Sequence, residues 1–162
     1  MRICLFGAFV FIFICGEAQV LSTEEMLKLV PDKINGFRKS DEPRVHQLKI
    51  GDLSYSICQK GFSSGSKQIT ILLFDFKNAP IMYMQVTREW QTYQTVDSDS
   101  LTLRQIVAPN YFGWESNNST TRSSKIFLGI SKRFYMAIDG KNILLDDLRN
   151  VLNHFTLEVF PE

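Results

Sequence analysis

The spacing of apolar residues predicts a short helix at the start of the globular part of the chain. Ser22 is followed three residues later by Glu25. This is the spacing of a capping box, in which each side chain caps the backbone of the other residue. The apolar residues that follow are Met26, Leu27, Leu29 and Val30. Pro31 ends the segment, because proline has no amide hydrogen for a helix interior.

Alternation with a period of two predicts strands through the middle of the chain. Apolar and polar residues alternate over 53–57, directly after the turn signal Gly51-Asp52. The stretch 68–76 is the most apolar one after the N-terminal run and predicts a central strand. Between these two strands, the Gly- and Ser-rich residues 61–66 predict a loop.

The region after the central strand is less regular. Pro80 fits the first turn of a helix that runs towards Trp90, but the abundant Val, Thr and Tyr residues leave a strand open there. Residues 94–124 are polar and predict irregular structure, apart from a strand at 101–107. We expect an exposed loop at 117–121.

The last third of the chain predicts a hairpin and a helix. Apolar strands at 125–130 and 133–138 flank Ser131-Lys132, and Asp139-Gly140 predicts the next turn. An apolar stripe at helical spacing then predicts a helix at 142–154. The fold class that follows is α+β, a mostly antiparallel sheet with short N-terminal and C-terminal helices packed on it.

The N-terminus has the layout of a secretory signal. Arg2 precedes an uncharged run of 14 residues from Ile3 to Gly16, and a spanning helix needs about 20. Small residues at Gly16 and Ala18 suit cleavage after Ala18. We therefore expect a signal peptide at 1–18, one globular domain at 19–162, and export to the periplasm, the envelope or the medium.

Two alternatives stay open at this end of the chain. Cleavage before Cys15 would create a lipid anchor, although Ile14 stands where a small residue usually precedes the cysteine. An uncleaved N-terminal helix would have to bury phenylalanines that crowd all of its sides, from Phe6 to Phe13.

Composition argues against several classes of partner and cofactor. The chain has 18 Lys and Arg residues against 17 Asp and Glu. Nucleic-acid binding needs a basic excess, and so does binding to an acidic membrane surface. Two histidines, His46 and His154, lie far apart in the sequence. We therefore expect no zinc site and no cofactor.

Cysteine usage points to a domain that is stabilised by packing. Cys4 and Cys15 lie in the predicted signal peptide, which leaves Cys58 as the single thiol of the exported chain. One thiol cannot form an internal disulfide, so disulfide-rich toxins and inhibitors are excluded. An enzyme is the alternative function, a thiol-dependent or other hydrolase that uses Cys58 with a histidine as base. Gly61-Phe62-Ser63-Ser64-Gly65 has the G-x-S-x-G spacing, but we predict a loop there and not the strand-to-helix elbow of a serine hydrolase.

Aromatic residues supply the candidate binding surface. Tyr111, Phe112 and Trp114 lie close together in the sequence, and Trp90 is the other tryptophan. Exposed Tyr and Trp side chains favour binding surfaces, whereas the competing interpretation is that these rings close one end of the sheet. Our leading hypothesis is an exported non-enzymatic domain that binds a protein partner or a small ligand through these four residues.

Asn117 and Asn118 each begin an N-x-[ST] sequon. In a eukaryotic secreted protein either asparagine is a glycosylation site, and in a bacterium the same residues mean only a polar loop.

The chain resembles small exported bacterial proteins of unknown function. The resemblance rests on scattered residues, namely Leu29-Val30-Pro31, Gly36-Phe37, Tyr55, Asp75, Arg133-Phe134, Gly140 and the segment Leu148–Leu152. It implies a fold similar to the PsbP-like α/β/α sandwich. It implies accessory or scaffolding roles and no catalytic residues.

Overall fold

The computed structural model describes residues 20–162, which form one large antiparallel sheet with helices on both sides. The strands are β1 (Arg38–Lys39), β2 (Arg44–Ile50), β3 (Leu53–Ser64), β4 (Lys67–Asn78), β5 (Val96–Asp97), β6 (Leu101–Val107), β7 (Tyr111–Asn118), β8 (Ser123–Ile130) and β9 (Phe134–Lys141). Their order is β1-β3-β4-β9-β8-β7-β6-β5, and β2 also pairs with β3. Every pairing is antiparallel. The predicted α+β class with a mostly antiparallel sheet is thus confirmed.

Three α-helices lie among the described residues, α1 (Thr23–Leu29), α2 (Pro80–Arg88) and α3 (Leu145–Leu152). Ser22 and Glu25 form the predicted capping box at the start of α1. Pro80 opens α2, so a helix and not a strand follows the central strand. A 3-10 turn at Glu89–Thr92 extends α2, and a second one lies at Leu157–Val159. None of the described helices is long and apolar enough to cross a membrane. The predicted signal peptide and Cys15 lie outside the described residues.

The sheet has two faces with different side chains, because successive strand residues point to opposite sides. The aliphatic face lies under α1 and α3, and its fully or almost fully buried residues include Cys58, Phe62, Ile69, Ile71, Leu73, Ile126, Leu128, Ile130, Phe134, Met136 and Ile138. The aromatic face lies partly under α2 and the following turn, and it carries Phe74, Phe76, Phe112, Trp114, Phe127 and Tyr135.

The predicted loop at 61–66 is wrong for its first four residues. β3 continues to Ser64, and the chain turns at Gly65-Ser66, where Gly65 has φ +58°. Gly61 does not form a turn. It allows Ser40 to pack closely against β3, because a Cβ atom at this position would lie 2.5 Å from the Ser40 Oγ atom.

Two further predictions in the second half are wrong. β7 is a regular strand within the region that was predicted to be irregular, so Asn117 and Asn118 end a strand. Asp139-Gly140 is not a turn but part of β9. Gly140 is there because a Cβ atom would overlap the Ile143 side chain.

A buried ion pair ties both ends of the described chain to the sheet. The Asp75 carboxylate is fully buried and accepts hydrogen bonds from Arg133 Nε at 2.7 Å and Nη2 at 2.8 Å. It also accepts one from the Leu21 backbone N–H at 2.8 Å. Arg133 Nη1 donates to the Glu162 carbonyl oxygen at 2.9 Å. This pair therefore positions the C-terminal segment against the end of β9.

Candidate ligand-binding cleft

The four aromatic residues that the sequence suggested for binding do not form one exposed patch. Trp90 and Trp114 are 5% and 3% exposed, while Tyr111 and Phe112 are half-buried. Tyr111 packs against the core of the aliphatic face, and Phe112 belongs to the aromatic face. Their role in binding stays a prediction.

Trp90 is the centre of a cluster of rings on the aromatic face. Its ring centroid lies 5.3 Å from that of Phe112, 5.3 Å from Phe127 and 5.8 Å from Tyr135. Aromatic pairs at such distances stabilise the packing beyond the area that they bury. Trp90 thus packs the turn after α2 against the aromatic face of the sheet.

Tyr111 and Phe112 instead line a cleft where the two layers meet at one end of the sheet. This end cleft has a volume of about 800 Å³. Its wall is formed by the β6–β7 loop, the β8–β9 turn, α2 and the C-terminal segment, with lining residues Tyr83, Ala108, Pro109, Asn110, Tyr111, Phe112, Gly129, Ser131, Lys132 and Leu157–Glu162. Small-ligand sites commonly have volumes of about 300–1,000 Å³.

Backbone hydrogen bonds hold the rim of the end cleft in place. The Ala108 N–H donates to the Tyr111 carbonyl at 2.9 Å, which closes the loop around Pro109. The Ser131 N–H donates to the Asn110 carbonyl at 3.1 Å and ties that loop to the β8–β9 turn. Since a preorganised site loses little conformational entropy on binding, a rim built this way favours ligand binding.

The C-terminal wall is anchored by an aromatic contact and by charged side chains. The Phe160 ring meets Phe134 edge-on, with centroids 5.2 Å apart. Lys77 Nζ and Arg133 Nη1 both donate to the Glu162 carbonyl, at 2.8 and 2.9 Å. The segment Leu157–Glu162 is therefore a fixed wall of the cleft.

One polar atom in this wall has no partner. Tyr83 is 6% exposed, and its hydroxyl makes no hydrogen bond to any described residue. The hydroxyl lies over Gly129, where a Cβ atom would be 2.5 Å from the phenol oxygen. Burial raises the pKa of Tyr83 to about 12, so the phenol is neutral at pH 7. The Trp114 Nε1 atom, which does not line the cleft, is likewise buried without a partner among the described residues.

A second groove, of about 510 Å³, runs beside Trp90 on the aromatic face. Lys125 and Asp139 line it and form an ion pair at 2.9 Å. Their side chains are 55% and 39% exposed. Because both charges already pair with each other in solvent, this groove offers a ligand less than the end cleft does.

Cys58 is placed in a way that does not favour thiol chemistry. It lies on the aliphatic face between Val45 and Leu73, it is fully buried, and burial raises its pKa to about 11. A nucleophilic cysteine needs a lowered pKa. His46 pairs with Ile57, the neighbour of Cys58, and therefore belongs to the opposite face of the sheet.

The other histidine is no better placed as a base for this thiol. His154 is exposed beyond the end of α3 and lines a cavity with the Ser64–Lys67 turn. That turn begins six residues after Cys58 along the strand, a distance of about 20 Å.

The described residues 20–162 contain no group of three or more His, Cys, Asp and Glu side chains that could hold a metal ion. The two sequon asparagines lie at the end of β7. The Asn117 side-chain oxygen accepts a hydrogen bond from the Ser124 hydroxyl at 2.9 Å, and the Asn118 side-chain oxygen accepts one from the Thr121 N–H at 2.9 Å. Glycosylation of either residue stays a prediction.

The signal that pointed to Tyr111 and Phe112 was their aromatic character beside Pro109 and Asn110. The binding residues selected from the sequence did not include Tyr83 or Gly129, which meet Tyr111 and Phe112 from α2 and β8. No local pattern marks a tyrosine whose hydroxyl will be buried without a partner, because its surroundings come from distant parts of the chain.

Comparison with known proteins adds little to this geometry. No family model and no curated protein matches the sequence. The solved structure of a GTP binding regulator from Thermotoga maritima is similar over 83% of this chain and 87% of its own. Its sequence identity is 12% and its TM-score is 0.47, values at which the likeness carries no argument. The resemblance to PsbP-like proteins stays a prediction.

Proposed function

We propose that this chain is an exported, non-enzymatic domain that binds a small ligand in the end cleft. The observation that carries the proposal is the concave cleft of about 800 Å³ whose rim is held by backbone hydrogen bonds. Tyr111 and Phe112, two of the four residues proposed for binding, line the same cleft.

The shape of the site favours a small ligand over a protein partner. A stable protein interface covers about 800 Å² of each partner, usually with a buried centre and a polar rim. The end cleft is instead concave and lies between the two layers of the domain, and aromatic, proline and polar side chains form its wall. Sites for small molecules have this character.

The lining of the cleft favours binding over catalysis. Its lining residues include no cysteine and no histidine, and these are the most common nucleophile and general base of thiol hydrolases. The alternative of a hydrolase that uses Cys58 gains no support, because that thiol lies in the aliphatic core.

A pair of variants at neighbouring positions tests the site. Ala108 lines the cleft and Val107 does not; Val107 is 73% exposed on β6. In Ala108→Trp the indole fills the cleft, so we expect at least about tenfold weaker binding of Nile red, an uncharged dye that brightens in apolar surroundings. Val107→Trp adds the same indole outside the cleft and should bind the dye as the wild type does.

Fluorescence titration measures both affinities, and thermal unfolding shows that both variants are folded. Equal dye binding by Ala108→Trp and the wild type would contradict the proposed site. Loss of binding in Val107→Trp alone would place the dye on the aromatic face near β6.

Export is tested separately by the mass of the mature protein. Cleavage after Ala18 yields a chain that starts at Gln19, whereas a lipid anchor would leave Cys15 at the N-terminus with added acyl mass. Recovery of the uncleaved chain in the cytoplasm would contradict export without bearing on the cleft.

A further inference from the structure

Two different walls of the end cleft carry charged residues of opposite sign. Lys132 belongs to the β8–β9 turn, and Glu158 belongs to the C-terminal segment. Both residues are exposed, and neither side chain takes part in an ion pair among the described residues 20–162. A ligand in the cleft can therefore meet one free cation and one free carboxylate.

The β8–β9 turn holds Lys132 in an unusual backbone conformation. Ser131 and Lys132 both have φ +52°, in the left-handed region that side chains other than those of Gly, Asn and Asp rarely adopt. The turn is closed by the Arg133 N–H, which donates to the Ile130 carbonyl at 3.0 Å. Because such a conformation costs free energy, it persists where the surrounding structure requires it, and functional sites are common places for it.

The carboxylate on the opposite wall is carried by an anchored segment. Glu158 lies in the 3-10 turn Leu157–Val159. Its neighbours Leu157 and Phe160 are 8% and 6% exposed and belong to the core of the aliphatic face. The backbone of Glu158 is thus fixed, although its side chain is in solvent.

Glu162 also lines the cleft, but its surroundings differ from those of Glu158. Lys77 Nζ and Arg133 Nη1 donate to the Glu162 carbonyl oxygen at 2.8 and 2.9 Å. Two cations therefore lie beside Glu162 already, which favours Glu158 as the partner for a positive group of a ligand.

We infer that the end cleft takes a zwitterionic ligand, a free amino acid or a short peptide, whose carboxylate pairs with Lys132 and whose ammonium group pairs with Glu158. The inference rests on the proposed function and specifies its ligand class. A ligand that carries both groups gains two ion pairs, whereas a ligand with a single charge gains one. The half-buried rings of Tyr111 and Phe112 in the same cleft offer contact area to an apolar part of the ligand.

Four probes that share a benzyl side chain test this ligand class. Phenylalanine carries both charged groups, phenylalaninamide keeps only the ammonium group, and N-acetylphenylalanine keeps only the carboxylate. The dipeptide phenylalanylphenylalanine carries both groups farther apart and represents short peptides. Binding is measured by NMR titration of the purified protein, with the backbone amides of Ala108 and Ser131 as reporters. A low salt concentration keeps the exposed charges unscreened.

The wild type should bind phenylalanine about 2- to 5-fold more tightly than either singly charged probe, the effect of one exposed ion pair. In Lys132→Gln the preference for phenylalanine over phenylalaninamide should disappear, while the preference over N-acetylphenylalanine stays. Glu158→Gln should show the reverse pattern. Tighter binding of the dipeptide than of phenylalanine would identify short peptides as the ligands, and the opposite order would identify free amino acids.

The matched controls are Lys49→Gln and Glu89→Gln, which change exposed residues that do not line the cleft. They should alter no preference, and thermal unfolding shows that all four variants are folded. Singly charged probes that bind as tightly as phenylalanine, or a preference pattern unchanged in Lys132→Gln or in Glu158→Gln, would overturn the zwitterionic ligand class and leave the cleft as a binding site. The class is also overturned if no probe shifts the reporter amides. The proposed site itself fails if Ala108→Trp binds Nile red as the wild type does.

Discussion

The two faces of the sheet differ in their side chains and in how completely they are covered. Leu128 and Met136 on the aliphatic face are fully buried, and α1 and α3 pack over this face. On the aromatic face, α2 and the following turn cover only part of the sheet, so Phe127 and Tyr135 stay half-buried. Close-packed aliphatic side chains stabilise a fold, whereas partly open rings are suited to contact a ligand. We expect stability to depend mainly on the first face.

Two ion pairs show the same contrast. Asp75 and Arg133 lie beside the aliphatic core with side chains 0% and 7% exposed. Lys125 and Asp139 lie on the aromatic face with side chains 55% and 39% exposed. A buried charge depends on its partner, while an exposed one is solvated by water.

Breaking the buried pair should therefore have the largest effect. Arg133→Met leaves the Asp75 carboxylate buried without its guanidinium, so we expect the free energy of unfolding to fall by about 3–5 kcal/mol. Lys125→Met should lower it by at most about 1 kcal/mol. Urea unfolding at pH 7 measures both values.

The double variant Asp75→Leu/Arg133→Met is the control for this prediction. It removes both charges, so it should be more stable than Arg133→Met alone. If Arg133→Met and Lys125→Met lowered the free energy of unfolding equally, burial would not make the first ion pair more important for stability than the second.

Two neighbours on β8 compare the hydrophobic contributions of the faces. Leu128→Ala leaves a cavity in the aliphatic core and should cost about 3–5 kcal/mol of unfolding free energy. Phe127→Ala removes a ring that is already partly exposed, so we expect a loss of about 1–2 kcal/mol. A larger loss in Phe127→Ala, measured by urea unfolding, would reverse the roles assigned to the two faces.

On the aliphatic face, we expect the Cys58 thiol to cause a smaller effect, a dependence of stability on pH. Burial raises its pKa from 9.0 to about 11. Between these two pH values the folded state keeps a proton that the unfolded state loses, so stability falls as the pH rises through this range. We expect a shallower fall in Cys58→Ala than in the wild type, as measured by thermal unfolding at pH 8 to 11.

The same thiol should be inert towards a thiol reagent in the folded protein at pH 8, and it should react once urea unfolds the chain. Rapid labelling of the folded protein would contradict the buried position of Cys58. It would also revive the hypothesis of thiol chemistry.

The elements that were correctly predicted depend on short-range signals. The Ser22–Glu25 capping box, the β8–β9 hairpin and the position of α3 follow from residues only a few positions apart. One error concerns the polar strand β7, and the other two concern glycines, at Gly61 and Gly140. A glycine in the sequence indicates either a turn or a close contact with another segment, and only the packing of that segment separates the two.

The residues of the end cleft also divide into those that the sequence identifies and those that only the tertiary structure brings together. Tyr111 and Phe112 could be named from the sequence, because aromatic residues beside a Pro-Asn turn stand out locally. Their neighbours Tyr83 and Phe160 come from α2 and the C-terminal segment, which lie far away along the chain. Whether a ring is buried and whether its hydroxyl finds a partner are properties of long-range packing. The residue types alone therefore led to the hypothesis of a binding protein, and only the tertiary structure decided which residues line the end cleft.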